Sequence, residues 1–372
     1  MKTELSSLEV GVLADELQGL LGARIDKIYQ LDAKDIVLQL HLASVGKVKV
    51  RLQAPRAAYI TSASLDFPES PPGFCQQLRK YLDNARLSGV RQFGSERILE
   101  LSFSRQCSLV VELFSKGNIV LCENEAIIAV AERQVWSTRN VSPGNKYSYP
   151  EKEINFYSLD AKHLATLFSV TNKDSVVKAL AMDLGLGGVY AEELCLAASV
   201  DKSAAPSSVG LEDQARIVAA LRDLLGRKKA PCILYDGPAA VTAVPFPLQI
   251  YSSLQPRNFG SFSEAIDYYY SHEFRPPTAH DRRVADIQRI IAEQEKMIAE
   301  TEASAAENTA KAEAIYNNYS VVIKILEELA KAREKHSWAE IKSRLEGHKV
   351  IREIDEQSRR VVVEVKFIYL RP

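Results

Sequence analysis

The sequence lacks the motifs of the common catalytic and cofactor sites. Its six histidines show neither the HxH nor the HExxH spacing of metal hydrolases, and no GxSxG, GxxxxGK[ST] or GxGxxG motif occurs in the 372 residues. These absences disfavour a metal hydrolase, a serine hydrolase, a nucleotide triphosphatase and a dinucleotide-binding enzyme. We therefore expect a binding protein that holds no metal ion and no cofactor.

Cysteine is scarce, and its spacing is irregular. The five cysteines form no CxxC pair, and an odd number argues against a disulfide framework, so a reducing compartment is expected. The first residues contain no apolar signal-peptide core, and no run of about 18 apolar residues occurs. These features predict a cytoplasmic protein that does not span a membrane.

The chain also lacks an excess of either charge. Lysine and arginine number 47 against 48 aspartates and glutamates, for a net charge of −1. A nucleic-acid partner would therefore have to meet a local basic patch. The hydrophobic content of 46% is ordinary for globular protein, and the length predicts two or three domains.

Residues 1–171 show the pattern of an α+β domain. Ser6 stands before a helical apolar stripe that Gly22 ends, and alternating apolar runs separated by turn residues follow. The pattern predicts a mixed antiparallel β domain. Residues 231–279 return to short strands and a helix, in which Asp267 to Tyr270 suit either base stacking or, more commonly, packing.

A basic helix and a charged dipeptide mark the middle of this first domain. Helical spacing from Phe74 places Arg79, Lys80 and Arg86 on or beside the solvated face. Glu96-Arg97 stands directly before a strand that begins at Ile98, where a rigid backbone would hold both side chains. On the pattern alone, such a dipeptide is most often a surface ion pair.

Residues 172–230 read as a helical hairpin. Gly185, Gly187 and Gly188 separate two apolar helical stretches. Glycines at the start of a helix let backbone amides approach a phosphate, so this turn is a weak candidate for phosphate binding. A tight interhelical turn that binds nothing is the commoner alternative.

Residues 280–336 have the apolar spacing of one long coiled-coil helix, about 80 Å in length. Nothing later in the sequence supplies a partner for its apolar stripe. Self-association through the unpaired stripe is therefore expected, and we expect the natural chain to continue beyond Pro372. Residues 337–372 read as a helix followed by one hairpin, the truncated start of a further domain.

Several motifs together resemble the NFACT family of large-subunit ribosome quality-control factors, also called the fibronectin-binding protein A family. The motifs that carry the resemblance are Ser7–Glu9, Gly73–Leu82, Arg86–Leu87, Glu96–Leu99, Phe114–Ile119 and LGLGGVYAEELC. They occur in the family's order: NFACT-N domain, helix-hairpin-helix domain, coiled coil. The family's NFACT-R domain has no counterpart in these 372 residues.

The resemblance implies a fold and a function. The NFACT-N domain is similar to the N-terminal domain of formamidopyrimidine-DNA glycosylases, but Lys2 stands where those enzymes carry their nucleophile. Family members bind obstructed large ribosomal subunits and recruit tRNA, alanyl-tRNA in particular, for template-free C-terminal tailing of stalled chains. The alternatives are a nucleic-acid-processing enzyme on a glycosylase-like scaffold and a surface adhesin, which the missing export signal disfavours.

The resemblance also implies tRNA-binding residues. The family's pattern is an acidic residue in the first helix and an Asp-Arg pair, which match Glu9, Glu96 and Arg97 here. Both acidic positions carry glutamate, which extends each carboxylate by one methylene and leaves the identity of the tRNA open. Four further basic residues would attract phosphates without reading sequence: Arg79, Lys80, Arg86 and Lys116.

Overall fold

In the computed structural model, the chain begins with a capped helix, α1 (Ser7–Leu17). The Ser6 hydroxyl accepts a hydrogen bond from the Glu9 backbone amide, and the Glu9 carboxylate accepts one from the Ser6 amide. This reciprocal capping satisfies two backbone donors at the helix start. The structure describes residues 2–136, 139–150, 154–273, 279–345, 351–355 and 360–363.

Two antiparallel sheets follow α1, each with its strands in chain order. The first contains β1 (Arg24–Asp32), β2 (Asp35–Leu42), β3 (Gly46–Gln53) and β4 (Ala57–Thr61). After α2 (Gly73–Leu82) come β5 (Leu87–Gln92), β6 (Ile98–Phe103), β7 (Cys107–Glu112), β8 (Asn118–Glu123) and β9 (Ala126–Val130). The predicted α+β class is confirmed, with the antiparallel β region divided into two sheets.

The second sheet is buried on both faces. Its inner face belongs to the main core, whereas Ile98, Val110 and Val120 form a smaller cluster with Tyr147 from the segment that contains β10 (Gln134–Val135) and β11 (Asn140–Val141). Burial on both faces explains why β6, β7 and β8 are almost continuously apolar rather than alternating.

A helical region follows the second sheet and precedes a small third sheet. The helices of this region are α3 (Ala161–Val170), α4 (Val176–Lys178), α5 (Gly188–Ala198) and α6 (Leu211–Gly226). The sheet has the order β13 (Ala239–Val244), β12 (Cys232–Asp236), β14 (Gln255–Asn258), and α7 (Phe262–Tyr268) follows it. Asp267 and Tyr269 are buried, and Asp267 accepts a hydrogen bond from the Thr61 hydroxyl, so packing is their role.

All five cysteines are buried free thiols, distributed over several layers of the fold. They lie on α2, β7, β8, α5 and β12. Burial raises the thiol pKa at each position: Cys75, Cys107, Cys122, Cys195 and Cys232.

Contacts divide the chain into two compact units, Met1–Arg275 and Pro276–Pro372. The second unit contains α8 (Ala279–Asn317), α9 (Tyr319–Arg333), α10 (Trp338–Leu345) and the hairpin of β15 (Ile351–Asp355) and β16 (Arg360–Val363). The finer boundaries at residues 171, 230, 279 and 336 stay predictions. Among the described residues, no helix has both the length and the apolar character that a membrane span needs.

The structure corrects one feature of the predicted coiled-coil helix. Residues 280–336 were expected to form one continuous helix, but Asn318 is non-helical (φ −118°, ψ 25°) and separates α8 from α9. The Asn318 side-chain amide donates to the Ala314 carbonyl over 2.9 Å. Asparagine side chains compete in this way for backbone hydrogen-bonding groups and interrupt regular helices.

Candidate nucleic-acid interface

An open cleft of about 420 Å³ lies among the residues before α1, the start of β6, the start of α5 and strand β13. It brings together four residues that the sequence predicted as binding residues: Glu9, Arg97, Gly187 and Gly188. Lys2, Glu4, Tyr190 and Tyr251 also line it. The cleft therefore combines charged side chains, aromatic rings and a helix N-terminus.

The Glu9 carboxylate holds the walls of this cleft together. It accepts hydrogen bonds from the Ser6 backbone amide (2.8 Å) and the Tyr190 hydroxyl (2.9 Å), and it forms an ion pair with Lys2. Its side chain is only 2% exposed. Glu9 thus connects α1, α5 and the residues before α1, which makes it a supporting residue of the cleft.

Lys2 is the counter-ion of the buried Glu9 carboxylate. Its ammonium group donates to Glu9 and to the Ala243 carbonyl (2.9 Å), and its backbone amide donates to the Tyr269 hydroxyl (2.8 Å). Burial lowers the pKa of Lys2, while the Glu9 charge opposes that shift. Burial also raises the pKa of Tyr190, which Glu9 reinforces. A buried charge is tolerated when it is paired and hydrogen-bonded in this way.

Arg97 is bound by Glu4 and not by its sequence neighbour. Its Nη1 donates to Glu4 Oε2 (2.6 Å) and to the Leu5 carbonyl (3.3 Å). Nε and Nη2 make no hydrogen bond to the described residues and remain available for a ligand. Glu96 is half-buried in the turn before β6, where its amide donates to the Phe93 carbonyl, and it is not among the described residues that line the cleft.

The start of α5 adds backbone donors to the cleft. Gly187 precedes the helix with φ +80°, a left-handed conformation that favours glycine, and no described side chain caps this end. The first backbone amides of a helix lack intrahelical acceptors and attract anions. Gly185, with φ +81°, forms the preceding turn and does not line the cleft.

None of the four predicted phosphate contacts lines the cleft. Arg79 and Lys80 line a separate groove beside β1, because α2 packs on that strand. Arg86 lies beyond the end of α2 and donates to the Gly22 carbonyl (3.2 Å), so it is not part of the predicted basic helix. Lys116 is exposed in the turn between β7 and β8. Their role as phosphate contacts stays a prediction.

Comparison with known proteins identifies the family. Residues 7–361 match the NFACT N-terminal and middle domains. The chain belongs to the NFACT family. The archaeal Rqc2 homolog aRqcH of Methanocaldococcus jannaschii is 31% identical over 395 residues, which cover 98% of this chain and 59% of that protein. The NFACT chain therefore spans about three-fifths of the length of this relative.

Two further comparisons agree with this family. The ribosome quality control complex subunit 2 of Saccharomyces cerevisiae is 34% identical over 144 residues, which cover 38% of this NFACT chain and 14% of that protein. The solved N-terminal part of the fibronectin/fibrinogen-binding protein from Streptococcus suis has a TM-score of 0.59 and 26% identity. That alignment covers 72% of this chain and 99% of the solved one.

Sequence reasoning missed three residues of the NFACT cleft: Glu4, Tyr190 and the pairing role of Lys2. Glu4 is 93 residues from Arg97 in sequence, and Tyr190 is 181 residues from Glu9. No local pattern reports such distant contacts. The sequence signal for Lys2 and Glu4 was that two charged residues stand close together before the Ser6 helix cap.

Proposed function

We propose that this NFACT chain acts in ribosome quality control. It binds obstructed large ribosomal subunits and recruits aminoacyl-tRNA, alanyl-tRNA in particular, for template-free C-terminal tailing of stalled chains. The names of the archaeal and yeast relatives support the process, and the family resemblance supports the tRNA and the tailing. The protein assists ribosomal peptide elongation as a binding factor in the cytoplasm.

The observation that best supports tRNA binding is that only one nitrogen of the Arg97 guanidinium, Nη1, is bound within the described part of the chain. Glu4 and Leu5 fix the guanidinium through Nη1, which leaves the Nε and Nη2 donors side by side. Two parallel donors of this kind bind a phosphate or the acceptor edge of a base bidentately. The uncapped start of α5 adds backbone amides that suit a phosphate in the same cleft.

The contacts of Lys2 favour binding over catalysis. An amine that attacks a base or a sugar needs a nitrogen that the substrate can reach. The Lys2 ammonium is instead buried and donates to Glu9 and Ala243. A nucleic-acid-processing activity on this scaffold is the alternative, and specific strand cleavage of abasic or oxidised-base duplex DNA would reveal it.

Arg97→Ala tests the proposal. The variant should weaken tRNA binding by about 1–3 kcal/mol at matched salt, because one bidentate contact is lost. Its melting temperature should stay close to that of the wild type, because the pair with Glu4 is partly exposed and such pairs stabilise little. Binding is measured by fluorescence anisotropy with labelled tRNA, and melting by circular dichroism.

Arg222→Ala is the matched control, since Arg222 is an exposed arginine on α6 outside the cleft. It should bind tRNA within about twofold of the wild type, as expected for an arginine that makes no specific contact. An Arg97→Ala protein with unaltered tRNA affinity contradicts the site. Loss of binding in both variants to the same extent contradicts a specific role for Arg97.

A further inference from the structure

A groove of about 670 Å³ between α2 and β1 is the strongest feature that the cleft leaves unexplained. Lys27 and Tyr29 of β1 form one wall, and Gln76, Arg79 and Lys80 of α2 form the other. Its volume is in the range of small-ligand sites, and its lining is mainly polar side chains with one aromatic ring.

The positive charges of this groove are not neutralised by ion pairs. Lys27, Arg79 and Lys80 are exposed, and none forms an ion pair with a carboxylate of the described part of the chain. Arg79 donates from Nε (2.9 Å) and Nη2 (2.7 Å) to the Ile28 carbonyl, which fixes the guanidinium while its charge stays unpaired. The groove therefore presents three exposed cations, of which Lys80 lies over the Tyr81 ring, 5.5 Å from its centroid.

The carboxylates of the groove are engaged elsewhere. Asp26 accepts a hydrogen bond from the Gln39 side-chain amide (2.7 Å) and lies 3.8 Å from the Lys47 ammonium. The Gln39 hydrogen bond, helped by nearby lysines, lowers the pKa of Asp26. Asp83 accepts from the Asn84 side chain at the end of α2. Within the described part of the chain, neither carboxylate forms an ion pair with Lys27, Arg79 or Lys80, although Lys27 is near enough to stabilise the charge of Asp26.

Tyr29 gives the groove an aromatic surface. Its ring stacks on Phe67, with the ring centroids 3.8 Å apart and the planes 13° from parallel. Phe67 covers one face of the Tyr29 ring. The rest of the Tyr29 side chain lines the groove. A tyrosine that is fixed in this way offers a rigid platform on which a flat ring can stack.

We infer that this groove binds single-stranded RNA. A base stacks on Tyr29, and the neighbouring phosphates meet Lys27, Arg79 and Lys80. Stacking on a protein side chain requires an unpaired base, which a double helix does not offer. The inference rests on the RNA-binding function proposed above, but it concerns a second surface, which would take another RNA segment than the Arg97 cleft.

The test uses the full chain in the Arg97→Ala background, so that the cleft contributes little. Binding of a short labelled single-stranded RNA of mixed sequence is measured by fluorescence anisotropy over a range of salt concentrations. Tyr29→Leu should weaken binding by about fivefold or more, since a stacked base contributes at least about 1 kcal/mol. Tyr29→Phe keeps the ring and should bind like the parent protein.

The lysines are tested through salt dependence. Lys27→Gln and Lys80→Gln should each lower the slope of log affinity against log salt by about 0.7, the value for one phosphate contact on a single strand. Lys162→Gln, an exposed lysine on α3, is the control and should leave the slope unchanged. Unchanged melting temperatures show that each variant is folded.

Three results overturn the inference: no binding of single-stranded RNA by the parent protein, full binding by Tyr29→Leu, or equal affinity for the same sequence as a duplex. Competition by an acidic peptide as strong as that by RNA also contradicts it, because a nonspecific anion surface would then suffice. The proposed cleft is judged separately, by the effect of Arg97→Ala on tRNA.

Discussion

At the residue scale, Glu4 fixes the orientation of the Arg97 guanidinium. Glu4 and the Leu5 carbonyl both accept from Nη1, so the guanidinium is held at one corner and its other donors are left together. Arginine side chains lose up to about 2 kcal/mol of rotamer entropy when they are fixed. An arginine that is oriented in advance avoids part of that cost on binding.

A double-mutant cycle tests this role of Glu4. At moderate salt, where repulsion between Glu4 and RNA is screened, Glu4→Ala should weaken tRNA binding by about 1 kcal/mol. In the Arg97→Ala background the same change should have no effect, because Glu4 acts through Arg97. Glu212→Ala, on the exposed side of α6 and outside the cleft, is the control and should leave tRNA binding unchanged. Tighter binding by Glu4→Ala would show that Glu4 competes with the RNA instead.

A second residue-scale prediction concerns the buried Lys2–Glu9 pair. Glu9→Gln leaves the Lys2 charge buried without its counter-ion, so it should lower the free energy of unfolding by about 3–5 kcal/mol. Tyr190→Phe removes one hydrogen bond to Glu9 and should cost about 1 kcal/mol. Urea denaturation measures both. Equal losses for the two variants would contradict a buried, charged pair.

At the element scale, single helices and strands were predictable from the sequence, but the way in which the strands assemble into sheets was not. The capping box at Ser6, the apolar face of α2 and the start of β6 at Ile98 follow from neighbouring residues. The division into two sheets depends on long-range contacts. Residues 139–150 pack on the second sheet because Arg139 and Tyr147 bind the buried Glu112, a contact that no spacing in the sequence reveals.

The same difference of scale applies to the site. Arg97 could be named only through the family resemblance, because its pattern alone indicates a surface ion pair. Gly187 was a weak candidate from the glycine turn before a helix. Glu4 could not be named, because its value comes only from its position opposite Arg97 in the folded chain. Arg79 and Lys80 lie in another groove because α2 packs on β1, and their role as phosphate contacts stays a prediction.

The break between α8 and α9 gives a prediction at this scale. Asn318→Ala should extend the helix across residue 318, because alanine has no competing side-chain amide and has about 0.5 kcal/mol better helix propensity. The expected result is slower amide hydrogen exchange around residue 318. Asn308→Ala, inside α8, is the control. Unchanged exchange at residue 318 would show that the break does not depend on its side chain.

At the scale of the whole molecule, the second unit exposes a long apolar stripe. Ile287, Ile291 and Ile298 on α8 and Leu326 on α9 are each about half exposed or more. Such helices normally bury their apolar residues against a partner helix. We therefore propose that the 372-residue chain self-associates through this stripe, which is the self-association expected from the sequence.

Sedimentation tests this self-association by measuring mass as a function of protein concentration. The 372-residue chain should show a concentration-dependent increase in mass, because two stripes can bury each other. Ile291→Glu combined with Ile298→Glu should shift the chain to monomer at the same concentrations. Lys296→Glu, which changes a charged residue between them, should not. A chain that stays monomeric at high concentration contradicts the pairing.

The buried cysteines have a practical consequence for following the molecule in motion. A thiol that is shielded and has a raised pKa reacts with an electrophilic reagent only when its surroundings open. The five thiols lie on five different elements: α2, β7, β8, α5 and β12. The labelling rate of each thiol therefore reports how often its own element opens. Bound tRNA should slow the labelling of Cys195, on the helix α5 whose first residues line the cleft, more than the labelling of Cys122 on β8.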